Sequence, residues 1–275
     1  MTEDIIKLSG QENGPSSMIL VGTHGHEKCG VVALEKILAT LKIERGSVFI
    51  AYGNPRAIEK NIRFTEADLN RMFKSDDLLS ASDKLSYEYR RAQFLKKYFD
   101  QVGVLLDIHA SSILNSRPFV ICEKIAQGLV EYLPFDLVVS GFDQVEPGGT
   151  DYYLNSFGKV GICVECGFLG DLESVRLAEE SIWAFLRARG HLLNDLKSKK
   201  QSYVRMYELY KTKTNTFILS RPFENFEIVE EDQLIGRDGE EEIRANKQSL
   251  ILFAHNCDKA GSEAFLLGEK KESLE

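Results

Sequence analysis

Apolar residues over the first 190 positions follow two alternating rhythms. Short apolar runs at residues 18–21, 48–51, 102–108 and 160–164 predict strands buried on both faces. Between them, apolar residues recur at helical spacing. Val31, Leu34, Leu38 and Leu41 form one stripe, with Glu35, Lys36 and Lys42 left to face water. Leu85, Tyr89, Ala92 and Phe99 form a second behind a cap at Ser82 or Asp83, and Val175, Ala178, Ile182, Phe185 and Leu186 form a third. This alternation predicts an α/β layer fold. The third stripe ends at Gly190, and the polar stretch 194–202, with Lys197, Lys199 and Lys200, predicts a boundary between domains over residues 1–195 and 203–268. Beyond it the pattern is of short β-rich pieces at 216–219, 226–229 and 249–253, with a turn at Gly236-Arg237-Asp238-Gly239 and no helix. The charged tail 268–275 is expected to fray.

With 275 residues, 43% hydrophobic and 28% charged, the chain has the material for a sizeable core and no need of disulfide or metal staples. Lys and Arg number 34 against 42 Asp and Glu, a net charge of −8, which disfavours a nucleic-acid partner because phosphate binding draws on clustered cations. The longest apolar runs, 102–106 and 250–254, fall far short of the roughly 20 residues of a membrane span, so no membrane partner is expected. The segment MTEDIIKLSGQENG lacks the pattern of a secretory signal, and five cysteines without framework spacing suit reduced thiols. A cytoplasmic location follows as the expectation.

Three stretches carry the chemistry. In Val21-Gly22-Thr23-His24-Gly25-His26-Glu27 an apolar strand runs into a Gly-rich turn before a helix, and ligands of open α/β sheets collect outside such carboxyl ends. His24 and Glu27 are three apart, the spacing at which side chains on one helical turn face a common point. A second strand ends in Asp107-Ile108-His109. Two His and one Glu are a known catalytic zinc set that leaves a fourth position for water. An isolated HxxE arises often by chance, so the surrounding residues have to add weight. Asp107 offers itself as a partner orienting an imidazole, although strand alternation weakens the assignment.

The second stretch is Asn54-Pro55-Arg56, Asn61-Ile62-Arg63 and Asp68-Leu69-Asn70-Arg71-Met72-Phe73. Guanidinium groups bind carboxylates in pairs of hydrogen bonds and Asn amides add donors, so an anionic substrate is implied. The third is Gly161-Ile162-Cys163-Val164-Glu165-Cys166-Gly167, where burial at the strand end would disfavour the ionised form of Glu165 and poise it as a base. Cys163 and Cys166, three apart on a strand, point to opposite faces and read as small core residues. No HExxH, phosphate loop, nucleophile elbow or dinucleotide fingerprint occurs, and His191 and His255 read as structural.

Taken in order, His24-Gly25-His26-Glu27, Asn54-Pro55, Arg63, Asp68-Leu69-Asn70-Arg71, Asp107-Ile108-His109 and Glu165-Cys166-Gly167 resemble the succinylglutamate desuccinylase/aspartoacylase family, a branch of the zinc carboxypeptidase-like enzymes. Glu146-Pro147-Gly148-Gly149-Thr150 and the turn at Asp238-Gly239-Glu240-Glu241 look more like its desuccinylase branch. The resemblance implies a mixed, mostly parallel sheet flanked by helices, with a small C-terminal β domain bordering the site. It implies one Zn²⁺ per chain on His24, Glu27 and His109, with Glu165 as general base and acid. It also implies that Arg63 polarises the scissile carbonyl and that Asn70 and Arg71 hold the carboxylate of an N-acyl amino acid whose amide is hydrolysed.

Two positions depart from the family pattern. His26 stands where the family usually has Asn. The stretch Asp151-Tyr152-Tyr153-Leu154-Asn155 lacks the Arg that the aspartoacylase branch places before its catalytic Glu, and Arg117 is the substitute chosen for a second carboxylate contact. The acyl group, the amino acid and the oligomeric state stay open, with room for a homo-oligomer. Two competing readings are a zinc carboxypeptidase acting on a small peptide and a metal-dependent binding protein without turnover.

Overall fold

The computed structural model describes residues 5–193 and 196–275; the first four residues of the N-terminal segment and positions 194 and 195 of the expected boundary lie outside the described residues. The strands are β1 (Ile6–Ser9), β2 (Glu12–Val21), β3 (Arg45–Tyr52), β4 (Val104–Ser111), β5 (Phe119–Cys122), β6 (Leu137–Ser140), β7 (Val160–Phe168), β8 (Ser202–Lys211), β9 (Phe217–Leu219), β10 (Glu227–Val229), β11 (Leu234–Asp238), β12 (Glu241–Arg244), β13 (Ser249–Leu252) and β14 (Glu263–Lys271). The α-helices are α1 (Cys29–Leu38), α2 (Pro55–Lys60), α3 (Ala81–Leu85), α4 (Tyr87–Phe99), α5 (Gln127–Val130), α6 (Phe142–Val145), α7 (Thr150–Ser156) and α8 (Leu172–Ala188).

Among the described residues, eleven strands form one mixed sheet in the order β1-β3-β2-β4-β7-β5-β6-β8-β14-β13-β10, and β12-β11-β9 form a small second sheet. The four apolar runs are its centre: β3, β2, β4 and β7 are mutually parallel. Successive side chains of a strand alternate between faces. Ile19, Val21, Leu106 and Ile108 therefore pack with Leu34 of α1 and Ile182 and Phe185 of α8, while Met18, Leu20 and Leu105 pack with Leu95 and Phe99 of α4. Each fully buried side chain of this size contributes roughly 1.5–3 kcal/mol relative to exposure. The chain beyond residue 202 contains no helix among the described residues, and β8, β14, β13 and β10 prolong the large sheet before β9, β11 and β12 close the second one.

Three local expectations are corrected. The second helical stripe does not include Leu85, which is 76% exposed. Ser86 has extended φ/ψ, breaks the helix there and caps α4 by accepting from the Tyr89 N–H, while Ser80 caps α3 in a capping box with Asp83. Ser82 and Asp83, the caps expected, lie inside α3. The tail is not frayed, since β14 runs to Lys271 and Leu274 is buried in the core. An apolar side chain that finds a core overrides the charged residues around it. In the Gly236–Gly239 stretch, Gly236 to Asp238 belong to β11 and the turn falls at Gly239-Glu240.

Parallel register decides what the sheet presents at its carboxyl edge. The loop after β2 carries His24 and Glu27, His109 lies near the end of β4, and Glu165 is the direct register partner of His109 on β7. Gly22 makes the turn out of β2 at φ +67°, a region that favours glycine, and a Cβ on Gly25 would lie 2.0 Å from the Ala57 backbone. The loop is thereby pressed onto α2.

Candidate metal centre and active site

Glu27 is buried, and its two oxygens divide between two imidazoles. His24 Nδ1 lies 2.8 Å from Oε1, and His109 Nδ1 lies 3.0 Å from Oε2. Ala110 N–H also donates to Oε2 at 3.2 Å. One ligand atom from each of His24, Glu27 and His109 lies within 4.8 Å of the others, and all three residues are buried. Two imidazole nitrogens and a carboxylate oxygen converging this closely are the donor set that suits a zinc-type divalent ion. Burial alone would raise the Glu27 pKa, yet the two imidazoles hold it well below the carboxylate range. Burial would lower both histidines, yet Glu27 with Asp68 raises His24, and Asp107 raises His109 well above its usual value.

The imidazoles are held from behind by acids. Asp68 Oδ1 lies 3.1 Å from His24 Nε2, and Asp107 Oδ2 lies 3.0 Å from His109 Nε2, the latter without hydrogen-bond alignment. The alternation argument against Asp107 fails because residues two apart on β4 share a face. Asp107 is wholly buried and receives the Thr23 hydroxyl at 2.9 Å and the Thr150 hydroxyl at 2.8 Å. Asp107, His109 and Cys163 form a second convergent group, but Asp107 is occupied by those hydroxyls and burial raises the Cys163 thiol, so this group supports His109 rather than offering a separate ligand set.

Glu165 lies beside His109 with one carboxylate oxygen, Oε2, buried and unpartnered. Burial, reinforced by the charge of Glu27, pushes its pKa up to about 7. Arg63, near half exposed, donates to Asp68 Oδ2 through Nε at 3.2 Å and Nη2 at 3.0 Å, and its Nη1 lies 3.8 Å from Glu27 Oε1. Asp68 thus ties Arg63 to His24. His26 lies off the set, with ring centroids 6.5 Å from His24 and a buried Nδ1 that has no hydrogen-bond partner. Burial lowers its pKa.

The remaining predicted residues divide. Asn70 accepts the Thr150 N–H at 3.2 Å, which docks the Glu146–Thr150 turn on the Asn70 loop. Arg71 lies on that loop, and its guanidinium is taken by Glu146 and Glu263. Arg117 is not drawn into the cluster: exposed, it lies 3.2 Å from exposed Asp136. Asn54 and Arg56, offered as anion donors, have structural work instead. Asn54 is buried, caps α2 and donates to Glu88, while Arg56 stacks on the Tyr87 ring at 4.0 Å. His191 is a satisfied core residue between Arg45 O and Ser17 Oγ, and His255 Nδ1 lies 2.8 Å from the Phe253 carbonyl.

Glu88 escaped the sequence reading because it lies on the buried side of α4, where a carboxylate has no periodic signature. It is 0% exposed. Oε1 accepts from Asn54 Nδ2, the Thr65 N–H and the Thr65 hydroxyl, and Oε2 accepts the Glu66 and Ala67 N–H groups. A buried carboxylate is tolerable only when so matched. It fixes the loop that carries Arg63 and Asp68.

Comparison with known proteins points the same way as the geometry. A family model described as the succinylglutamate desuccinylase/aspartoacylase catalytic domain matches residues 13–187. Aspartoacylase of Xenopus tropicalis is 37% identical over 101 residues, 33% of this chain and 32% of that protein. The N-acyl-aromatic-L-amino acid amidohydrolase (carboxylate-forming) of the same organism is 30% identical over 172 residues, 56% of this chain and 55% of that protein. The chain thus spans between about a third and about half the length of these curated relatives. The crystal structure of succinylglutamate desuccinylase from Vibrio cholerae superimposes with a TM-score of 0.81 at 17% identity, over 97% of this chain and 85% of that one, a likeness of fold.

Proposed function

Because this chain belongs to the succinylglutamate desuccinylase/aspartoacylase family, we propose that it is a zinc-dependent deacylase that hydrolyses the amide bond of an N-acyl amino acid. The observation that carries the reading is the division of the Glu27 carboxylate between two imidazole Nδ1 atoms, with the unpartnered oxygen of Glu165 next to His109. A buried, unpartnered carboxylate oxygen beside His109 favours turnover over binding alone.

His24, Glu27 and His109 would hold the ion. When bound, such an ion lowers the pKa of water toward about 7 and polarises a carbonyl. The protein's own groups do the rest. Ionised Glu165 takes a proton from the attacking water and, once protonated, returns it to the leaving amine. Arg63 faces the oxygen on which negative charge develops, a type of contact worth about 3–4 kcal/mol in other enzymes. Asn70 and Arg71 receive the carboxylate of the amino acid.

The test is a mass-spectrometric screen of N-acylated amino acids and dipeptides with the zinc-loaded protein and with protein stripped by a chelator. Release of an amino acid from N-acyl substrates that is lost on stripping and restored by Zn²⁺ is expected. Faster dipeptide cleavage would instead make the protein a carboxypeptidase, and tight binding with no cleavage across the panel would leave only a binding role.

A further inference from the structure

Two cations beside the candidate centre already meet carboxylates: Arg63 meets Asp68, and Arg71 meets two. The Arg71 contacts are the most complete. Arg71 Nε donates to Glu263 Oε1 at 3.2 Å and Nη2 donates to Glu263 Oε2 at 2.7 Å, the parallel two-bond match of a guanidinium edge to a carboxylate. Nη2 also bonds Glu146, and Nη1 donates to the Asn70 carbonyl at 2.9 Å. Glu263 comes from the C-terminal strand β14, 192 positions away in the chain.

The two acids differ in freedom. Glu146 belongs to the turn docked on the Arg71 loop, where Gly148 O accepts the Phe73 N–H at 3.1 Å, and its side chain is 13% exposed. Glu263 opens β14, directly after a turn through Gly261 at φ +80°, and its side chain is 30% exposed. Lys211 Nζ, itself half exposed, lies 3.6 Å from Glu263 Oε1. Glu146 therefore orients Arg71, whereas Glu263, on the more exposed side, also hydrogen-bonds Glu146 and can exchange both partners for Lys211 and water.

We propose that Glu263 is a specificity-determining residue: it occupies the edge of Arg71 on which the substrate carboxylate is received, and only a group able to make the same paired contact displaces it. This rests on the deacylase reading in one respect, the assignment of Arg71 to a substrate carboxylate. A carboxylate replaces the two bonds it breaks and so pays only for moving Glu263, whereas an amide or an ester in the same position leaves the guanidinium edge half matched. Selection for the carboxylate is thus achieved by an internal competitor, at the cost of weaker binding than a bare Arg71 would give.

The test is calorimetric binding of N-acetylglycine and of its primary amide, N-acetylglycinamide, to the metal-free 275-residue chain and to Glu263→Gln. The variant keeps the shape of the side chain but removes its charge, and it is expected to bind N-acetylglycine about fivefold tighter or more with binding of the amide unchanged. Equal or weaker binding of N-acetylglycine by the variant overturns the proposal. So does an equal gain for the amide, which would signal only a looser pocket, and so does a lack of binding by both chains. Should Glu263→Gln fail to unfold cooperatively, Glu263→Asp carries the test: its shortened carboxylate is expected to give about a twofold gain for N-acetylglycine alone, and no gain overturns the proposal. Failure of the deacylase reading shows separately, as no amino acid released by the zinc-loaded wild type, and leaves these binding ratios readable.

Discussion

The two halves of the candidate site are built on different principles. The half around Glu27 stands at the carboxyl ends of parallel strands, where register makes His109 and Glu165 neighbours and two acids, Asp68 and the buried Asp107, hold the imidazoles from behind. The half around Arg71 stands on loops, and it is completed by an acid from the far end of the chain. The first half is preorganised by strand register together with buried side-chain contacts. The second is a balance of charges that one substitution can tip. Chemistry of a stated geometry needs the former, and discrimination between ligands is served by the latter.

The largest effect that tests this contrast should come from Glu165→Gln. Removing a general base costs roughly 10²–10⁴ in kcat, while zinc content measured by plasma emission should remain that of the wild type. Lost metal in this variant would break the division between ion-holding and proton-moving residues. Next in size is Asp107→Asn, which removes the charge behind His109 but keeps a hydrogen-bonding side chain. Affinity for Zn²⁺ in a chelator competition should fall about 10–100-fold, and an unchanged affinity would show that strand geometry alone holds the imidazole.

Arg71→Lys sharpens the comparison from the other side. Lys cannot make the two-bond contact, so KM for a carboxylate substrate should rise roughly tenfold while Zn²⁺ affinity stays put. A fall in metal affinity would mean that the two halves are coupled. The smallest effect concerns Asp143, whose pKa is raised to about 7 by burial first and then by Asp151 and Glu123. The folded chain holds this proton through the interval in which the unfolded chain has lost it, so stability falls as pH rises from about 4 to 7. Asp143→Asn removes that loss and should raise the thermal midpoint at pH 8 relative to wild type by about 2 °C, after discount for solvent screening, with no gain at pH 4. A gain at the acid end instead would reverse the assigned direction.

Much of the half around Glu27 could be read from the chain because its information is local. A continuous apolar run is a buried strand, buried parallel strands share one carboxyl edge, and a polar residue closing such a run must emerge there. His109 and Glu165 satisfy that rule, and His24 and Glu27 lie in the turn that follows such a run. The helices α1 and α8 were legible from their stripes for a similar reason. Leu85 was misread because helical spacing continues across a break that only the backbone at Ser86 reveals.

The sequence by itself determined the alternation of strands and helices, the edge on which the chemistry gathers and the donor types available there, since these depend on periodicities of a few residues and on side-chain chemistry. The tertiary structure alone decided which charges meet: that Asp107 backs His109, that Glu88 clamps the Arg63 loop, that Arg117 faces Asp136 and that Glu263 closes on Arg71. Apart from Asp107 and His109, which share one face of β4, those pairings join residues separated along the chain, and a Coulomb interaction depends on separation in space, which only the packed layers define.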